Sequence, residues 1–99
     1  MTSSENDGAA TELVDEIASA VTAVAGVADL HGGMFGEAAT YLPGRRVPGI
    51  RLNDEDTEIH VSLLFGYHVR DTAEAVRDAV AQLVAGPVHV TVEDVVRSR

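Results

Sequence analysis

Two helical stretches follow from the spacing of apolar residues in this chain. In the first, Thr11 is a good N-cap, apolar residues recur every three or four positions, and Gly26 is a natural end. In the second, Asp71 begins the helix, Glu74 completes a capping box, and Gly86 follows the last apolar turn. The spacing therefore predicts two amphipathic helices, one in each half of the chain.

Apolar and polar residues alternate in two further stretches, and alternation is the period of a half-buried strand. The clearer stretch is TEIHVSLLFG, residues 57–66, and the second is VHVTVEDV, residues 88–95. Two weaker candidates are residues 27–30 and residues 46–52, where Pro48 indicates an irregular or edge strand. The polar turn NDED joins the last of these to the clearest strand, which predicts a β-hairpin.

Two amphipathic helices and strands with one apolar face predict an α+β fold, a two-layer sandwich with both helices on one face of a small mixed β-sheet. The predicted order is helix, short strand, β-hairpin, helix, strand. Residues 1–10 are predicted as a disordered acidic and polar tail, residues 11–96 as a single domain, and residues 97–99 as its C-terminal end. The predicted core consists of Leu13, Ile17, Val21, Val24, Ile59, Val61, Leu63, Phe65, Val76, Val80, Leu83, Val88, Val90 and Val92.

Residues 32–46, GGMFGEAATYLPGRR, follow neither period. Their glycines permit unusual backbone angles, and loops of this length in compact domains are commonly packed lids or binding elements. Two hypotheses follow: the apolar side chains cover one end of the core, or they form an exposed anchor for a partner protein with arginines as a positive rim. The candidate partner-binding residues are Met34, Phe35, Tyr41, Leu42, Arg45 and Arg46.

The charge balance of the chain limits which partners it fits. With 99 residues and a formal net charge of −9, it lacks the clustered cations that bind a nucleic-acid backbone. It has no cysteine, and it has no apolar run of the roughly 20 residues that cross a membrane. Its acidic, polar start is unlike a secretory leader, so we expect a cytoplasmic protein with no direct membrane span.

One motif within residues 32–46 keeps nucleic-acid binding open as the alternative function. Gly33 and Gly36 form a G-x-x-G, which in a small domain with helices and strands is typical of the KH module, whose loop clamps a nucleic-acid backbone. Here the two central residues, Met34 and Phe35, are apolar rather than basic. Because the net charge also opposes it, a protein partner is the favoured prediction.

Metal binding and catalysis have weaker candidates. His60 and His89 are predicted on the polar face of the sheet with Glu58 and Glu93, and a metal site would need three or four of these ligands to converge. Ser62 stands in a strand with no glycine elbow, so it lacks the local geometry of an activated nucleophile. We therefore expect no metal, no cofactor and no enzymatic activity.

Several segments in sequence order resemble a known family. They are VAGVADLHGG, FGEAATYLPGRRVPGIRL, EIHVSLLFGY and VTVEDV, and the most specific is the block from GG-x-FGE to YLPGRRV-x-G. Together, over about residues 11–96, they resemble the alkaline shock protein twenty-three family of envelope stress response proteins, in the short form seen in actinobacterial chains. The resemblance covers almost the whole predicted domain.

The resemblance implies a function in binding rather than in chemistry. Members of this family are small, non-enzymatic, cytoplasmic proteins that associate with each other and with a membrane-anchored partner near the inner face of the cell envelope. The family has no established catalytic motif, so no residue of this chain gains a chemical role from it. The expected protein is an acidic α+β interaction module of the stress response, homo-oligomeric and membrane-proximal through a partner.

Overall fold

The computed structural model describes residues 2–98, with side chains from residue 10 onward. The fold is α+β, with two helices and a mixed β-sheet, as the sequence predicts. Met1 and Arg99, which belong to the predicted tail and C-terminal end, lie outside the described residues. The elements in chain order are α1 (Thr2–Thr22), β1 (Val27–Leu30), β2 (Ala39–Leu42), β3 (Arg45–Pro48), β4 (Ile50–Leu52), β5 (Thr57–Leu64), α2 (Val69–Ala81) and β6 (Val88–Val96).

Strand β5 is the centre of the main sheet. β6 pairs with it in parallel from Thr57 to Leu64, while β1 and β4 pair with it antiparallel, each over a different half. Because β6 occupies one edge of β5 over its whole length, β1 and β4 lie end to end along the other edge. The predicted hairpin is confirmed as β4 and β5, with Ile50 opposite Ile59.

Gly49 makes the junction between β1 and β4 possible. At this junction the His60 carbonyl accepts a hydrogen bond from the His31 N–H at 2.8 Å, and the His60 N–H donates to the Gly49 carbonyl at 2.8 Å. Gly49 has a φ of 83°, and a Cβ there would lie 2.8 Å from the His60 carbonyl oxygen. Only glycine meets both conditions. The irregularity predicted at Pro48 lies here, since β3 ends at Pro48 and β4 begins at Ile50.

The core lies between the helices and the apolar face of the sheet. α1 contacts β1, β2, β4 and α2, and α2 also contacts β6. Most of the predicted core is confirmed: Ile17, Val21, Ile59, Val61, Leu63, Val76, Val80 and Val88 are buried, and Leu13, Val24, Leu83, Val90 and Val92 pack against them partly buried. Val14, Val27 and Ile50 are also fully buried, although the predicted core omits them.

Phe65 is the core residue that the sequence predicts wrongly. β5 ends at Leu64, and the Phe65 side chain is 63% exposed. The Phe65 N–H still donates to the Val96 carbonyl at 2.7 Å, but the chain then turns toward α2, so strand alternation no longer directs the ring inward. The register of β5 is nevertheless as predicted, since Val61 and Leu63 are buried.

Both helices begin earlier than the sequence predicts. α1 starts at Thr2, so it includes residues 2–10, which the sequence predicts as a tail; they contain no proline to interrupt the helix, although only Glu5, Ala9 and Ala10 among them are strong helix formers. α2 starts at Val69, and its cap is His68, whose side chain accepts from the Asp71 N–H. Asp71 therefore lies in the first turn, where its charge suits the helix dipole, and not at the N-cap.

Residues 39–48 form a second, two-stranded sheet, of which the sequence pattern predicts only part, in the strand candidate at residues 46–52. β2 and β3 pair antiparallel, with Tyr41 opposite Arg46, and Pro43 and Gly44 form the two-residue turn between them. β2 also contacts β4 and α1, so this hairpin lies against the main body of the fold. The spacing of apolar residues gives little indication of these strands, because most of their side chains are not buried in the core.

Candidate functional site

Residues 32–46 carry the most exposed large apolar side chains of the described chain. The exposed fraction is 82% for Met34, 88% for Phe35 and 73% for Tyr41. Leu42, in contrast, is partly buried and packs against the core. The structure therefore contradicts the lid hypothesis for three of the four apolar candidates, and only Leu42 fits it.

Local hydrogen bonds close the turn that carries Met34 and Phe35. The Gly36 N–H donates to the Gly33 carbonyl at 3.2 Å, so the G-x-x-G motif is a tight turn. The Nδ1 atom of His31 accepts from the Gly33 N–H at 2.9 Å and fixes the start of this turn. The tip thus presents two apolar side chains, and no cation stands between the glycines to meet a phosphate group.

Glu37 restrains the same turn from its other end. One of its carboxylate oxygens accepts from the Phe35 N–H at 3.0 Å. Hydrogen bonds from the N–H of Glu37 itself and from the N–H of Phe35 hold the pKa of this carboxyl below its usual value, with smaller contributions from His60 and His31. The carboxylate stays ionised and bonded near neutral pH, so the exposed Phe35 ring is attached to a restrained backbone.

Arg46 joins this turn to the hairpin. It lies opposite Tyr41 across β2 and β3, and its Nη2 atom donates to the Gly36 carbonyl at 2.7 Å. The turn with Phe35 and the strand with Tyr41 are therefore connected through one side chain. The sequence predicts Arg46 only as part of a charged rim, and this structural contact adds a second role.

Arg45 connects the hairpin to α1. Its Nη2 atom lies 2.8 Å from Oδ1 of Asp15, and the two side chains are 45% and 55% exposed. Ion pairs this exposed contribute little stability, but the carboxylate offsets much of the Arg45 charge. The positive rim predicted from Arg45 and Arg46 is thus weaker than the sequence alone indicates.

A second exposed apolar patch lies around the turn between β5 and α2, and the spacing of apolar residues does not predict it. The exposed fractions are 63% for Phe65, 48% for Tyr67 and 46% for Val69, with 47% for Val95 on β6. The Arg97 guanidinium lies over the Phe65 ring, 4.6 Å from its centre, and covers one of its faces. The signal available in the sequence is Gly66 in the run FGYHV: the alternation continues to Val69, but the glycine, with a φ of 99°, turns the chain directly after the strand.

The polar face of the main sheet brings three of the four metal candidates together. Oε2 of Glu93 lies 2.6 Å from Nδ1 of His60, and Oε1 of Glu58 lies 3.6 Å from its Nε2. Both ring nitrogens therefore face carboxylates, while His89 lies apart, 3.4 Å from a carboxylate oxygen of Asp56. Within residues 2–98, no group of three or more histidine or acidic side chains is arranged to hold a metal ion.

Contacts from neighbouring residues also fix the carboxylate of Glu58. Nδ2 of Asn53 donates to its Oε2 at 2.9 Å, and this hydrogen bond is the main cause that lowers the pKa of Glu58 below its usual value. The His60 side chain lowers it further. Ser62, the hydroxyl considered as a nucleophile, is buried in β5 and forms no hydrogen bond with a described histidine. The polar face thus pairs its charges internally.

Comparison with known proteins adds no assignment. The chain matches no family model, no curated protein and no solved structure. Within residues 2–98, no helix has the length and apolar character needed to span a membrane. The geometry of residues 32–46 and the sequence resemblance are therefore the basis for a functional proposal.

Proposed function

We propose that this chain is a non-enzymatic protein-interaction module and that residues 32–46 are its partner-binding element. The observation that supports this proposal is that Met34, Phe35 and Tyr41 are the three most exposed large apolar side chains of the described chain. Removing such surface from water contributes roughly 25 cal/mol per Å², and aromatic and methionine side chains are enriched in interface cores. Leu42 anchors the segment on its own core rather than on a partner.

Restraint of the backbone strengthens this proposal. Glu37, His31 and Arg46 each bond to the turn or to its base, so the exposed rings stand on a segment that is already ordered. Ordering a flexible loop on binding costs free energy, and a pre-ordered loop avoids most of that cost. The two arginines should affect mainly the rate of association with the partner. Arg46 keeps its charge at the surface, while Asp15 partly offsets the charge of Arg45.

The resemblance to envelope stress response proteins supports a more specific form of the proposal. In this form, the chain acts in the cytoplasm near the inner face of the cell envelope, self-associates, and docks to a membrane-anchored protein. A net charge of −9 fits a protein partner better than direct lipid contact, because anionic lipids of the inner leaflet repel an acidic surface. In this form of the proposal, burial of Met34, Phe35 and Tyr41 against the partner protein supplies most of the binding free energy.

Site-specific photo-crosslinking in cells tests the proposal. A photo-reactive phenylalanine analogue replaces Phe35 or Tyr41, and matched controls carry it at Gln82, an exposed residue after α2, or at Phe65 in the second patch. We expect one protein of the membrane fraction to crosslink from positions 35 and 41 and not from position 82. Equal capture from position 82, or capture from position 65 alone, would contradict the assignment to residues 32–46.

Affinity measurements on the captured protein then test the energetics. Phe35→Ala or Tyr41→Ala should weaken binding by roughly 1–3 kcal/mol while the fold stays intact. The pair Arg45→Ala and Arg46→Ala should lower the association rate and its dependence on salt. The KH-like alternative gives a different result: RNA would be retarded in a gel-shift at low salt, and salt would abolish the shift.

A further inference from the structure

The outer edge of β6 is the longest strand edge that no described strand covers. β6 has nine residues and pairs only with β5. The Thr57 N–H donates to the Pro87 carbonyl at 3.0 Å, and in a parallel ladder this bond fixes which residues of β6 face β5. Every second residue from Pro87 directs its backbone groups toward β5. Val88, Val90 and Val92 therefore direct their N–H and C=O groups outward.

This edge has few of the features that protect exposed strands. Lysine, proline and bulges commonly block edge pairing, and β6 contains neither lysine nor proline. It has one bulge, at Glu93, because Val61 pairs with Val92 while Ser62 pairs with Asp94. The regular open edge thus comprises residues 88–92, which is the length of an average strand.

α2 borders this edge and forms a groove with it of about 260 Å³. The α2 side of the groove presents Arg70, Ala73, Glu74 and Arg77, and the first three residues of β6 form the other side. Arg70 forms no ion pair within the described chain, and Arg77 reaches Glu74 only at 4.0 Å. Two guanidiniums and one carboxylate therefore lie beside the open edge, so this stripe is less acidic than the chain as a whole, whose formal net charge is −9.

We infer that β6 pairs antiparallel with β6 of a second copy of this chain, centred on Val90, to form a dimer with one continuous sheet. The segment is Val-His-Val-Thr-Val, so its alternation of apolar and polar residues is the same when it is read in either direction. Val90 lies opposite Val90 of the partner subunit, Val88 opposite a valine, and His89 opposite a threonine. The outward backbone groups of three valines in each copy then satisfy one another.

A second copy fits this edge better than a strand of another sequence. The pairing places apolar side chains together on the helical face and polar side chains together on the other face, without a like-charge pair between the strands. The hairpin of β2 and β3 contacts α1 and β4, and β4 lies along the edge of β5 that β6 does not occupy. The dimer therefore leaves residues 32–46 of both copies free, and the inference stands independently of the function proposed for them.

Sedimentation of the full chain, combined with amide hydrogen exchange, tests this inference. The concentration series extends to roughly 1 mM, at a salt concentration that screens the like net charges of two copies. We expect a monomer–dimer equilibrium in which the Val88, Val90 and Val92 amides exchange more slowly as the dimeric fraction increases with concentration. A monomer throughout the series overturns the inference, as does a dimer in which these three amides exchange as fast as unpaired ones.

Two proline variants provide a matched comparison. Val90→Pro removes an outward N–H at the centre of the pairing, and Val95→Pro removes one beyond the bulge on the same strand. Dimerisation should weaken about tenfold to a hundredfold in the first variant and stay near wild type in the second. Far-UV circular dichroism checks that both fold. If folded Val90→Pro dimerises like the wild type, β6 is not the interface; if it does not fold, the exchange rates of the wild-type amides decide.

Discussion

Strand β5 and residues 32–46 both carry large apolar side chains, but β5 buries most of them, whereas residues 32–46 expose three of their four. Ile59, Val61 and Leu63 are fully buried in β5, whereas Met34 and Phe35 are 82% and 88% exposed. β5 is paired along both edges, and its side chains fill the core beneath the helices. Residues 32–46 are held instead by hydrogen bonds and one ion pair around an exposed tip.

The difference separates the residues that stabilise the fold from those that we propose bind a partner. In β5, the burial of a side chain and the position of the backbone depend on each other, so a truncation affects both. In residues 32–46, polar contacts hold the turn, and Ala38, Ala39 and Leu42 pack inward, so the exposed rings contribute little to the backbone position. Truncation of Phe35 or Tyr41 should remove binding surface while the fold keeps nearly all of its stability.

The largest expected effect is the truncation of a central β5 side chain. Ile59→Ala should lower the free energy of unfolding by about 2–5 kcal/mol, because Ile59 is fully buried and leaves a cavity. Urea denaturation followed by circular dichroism measures this loss. A loss no greater than that of the exposed-site variant Tyr41→Ala would contradict the assignment of β5 as the centre of the core.

The next effect concerns the junction between β1 and β4. Gly49→Ala and Gly44→Ala are matched, since both glycines have positive φ and each alanine costs about 1–2 kcal/mol for that conformation. At Gly49 the added Cβ also meets the His60 carbonyl oxygen at 2.8 Å, whereas nothing lies within 4 Å at Gly44. Thermal melting should therefore show a larger loss for Gly49→Ala. If both variants lose the same melting temperature, the backbone around Gly49 accommodates the added Cβ without a loss of stability.

Within residues 32–46, two neighbouring side chains sharpen the comparison. Leu42→Ala should lower the free energy of unfolding by roughly 1 kcal/mol, because Leu42 is partly buried against the core. Tyr41→Ala should change it by less than about 0.5 kcal/mol, because its ring is 73% exposed. The same urea experiment measures both. A reversed order would restore the lid hypothesis for the tyrosine.

The smallest effect is the pH dependence of the turn. Hydrogen bonds from its own N–H and from the Phe35 N–H lower the pKa of Glu37 from the usual 4.5. The stabilisation from a lowered carboxyl pKa is present above the unfolded-state pKa and disappears as pH falls through the folded-state pKa. The Phe35 amide resonance should thus titrate with a midpoint below 4.5, and Glu37→Gln should abolish that titration. A midpoint at or above 4.5 would show that the hydrogen bond is absent in solution.

Periodicity predicted the parts of the fold where burial repeats with the period of the element. The alternation in β5 and β6 and the stripes of α1 and α2 all appear in the structure, because one face of each packs on the core. Prediction failed where an element ends. Phe65 lies one residue beyond β5, and the end of that strand depends on the turn into α2 rather than on alternation. His68 caps α2 although aspartate is the commoner capping residue.

The sequence indicates which segment forms the candidate site, but it does not indicate which of its side chains are exposed or what they contact. Glycines, aromatic residues and arginines mark residues 32–46 in the sequence, yet the lid and the exposed anchor use the same side chains. Exposure decides between them, and it depends on contacts that only the folded chain forms. Arg46 bonds to Gly36, ten positions earlier, and Arg45 to Asp15, thirty positions earlier. Neither contact follows from local spacing.

One measurement tests most directly whether residues 32–46 bind the partner. Melting temperature and affinity for the crosslinked partner are measured on the same samples of wild type, Phe35→Ala, Tyr41→Ala and Ile59→Ala. We expect the two aromatic variants to melt near the wild-type temperature and bind roughly 1–3 kcal/mol more weakly, because they lose only contact surface. Ile59→Ala should melt lower and bind normally per folded molecule. If Phe35→Ala and Tyr41→Ala instead lose stability while their affinity per folded molecule is unchanged, residues 32–46 are not the binding element.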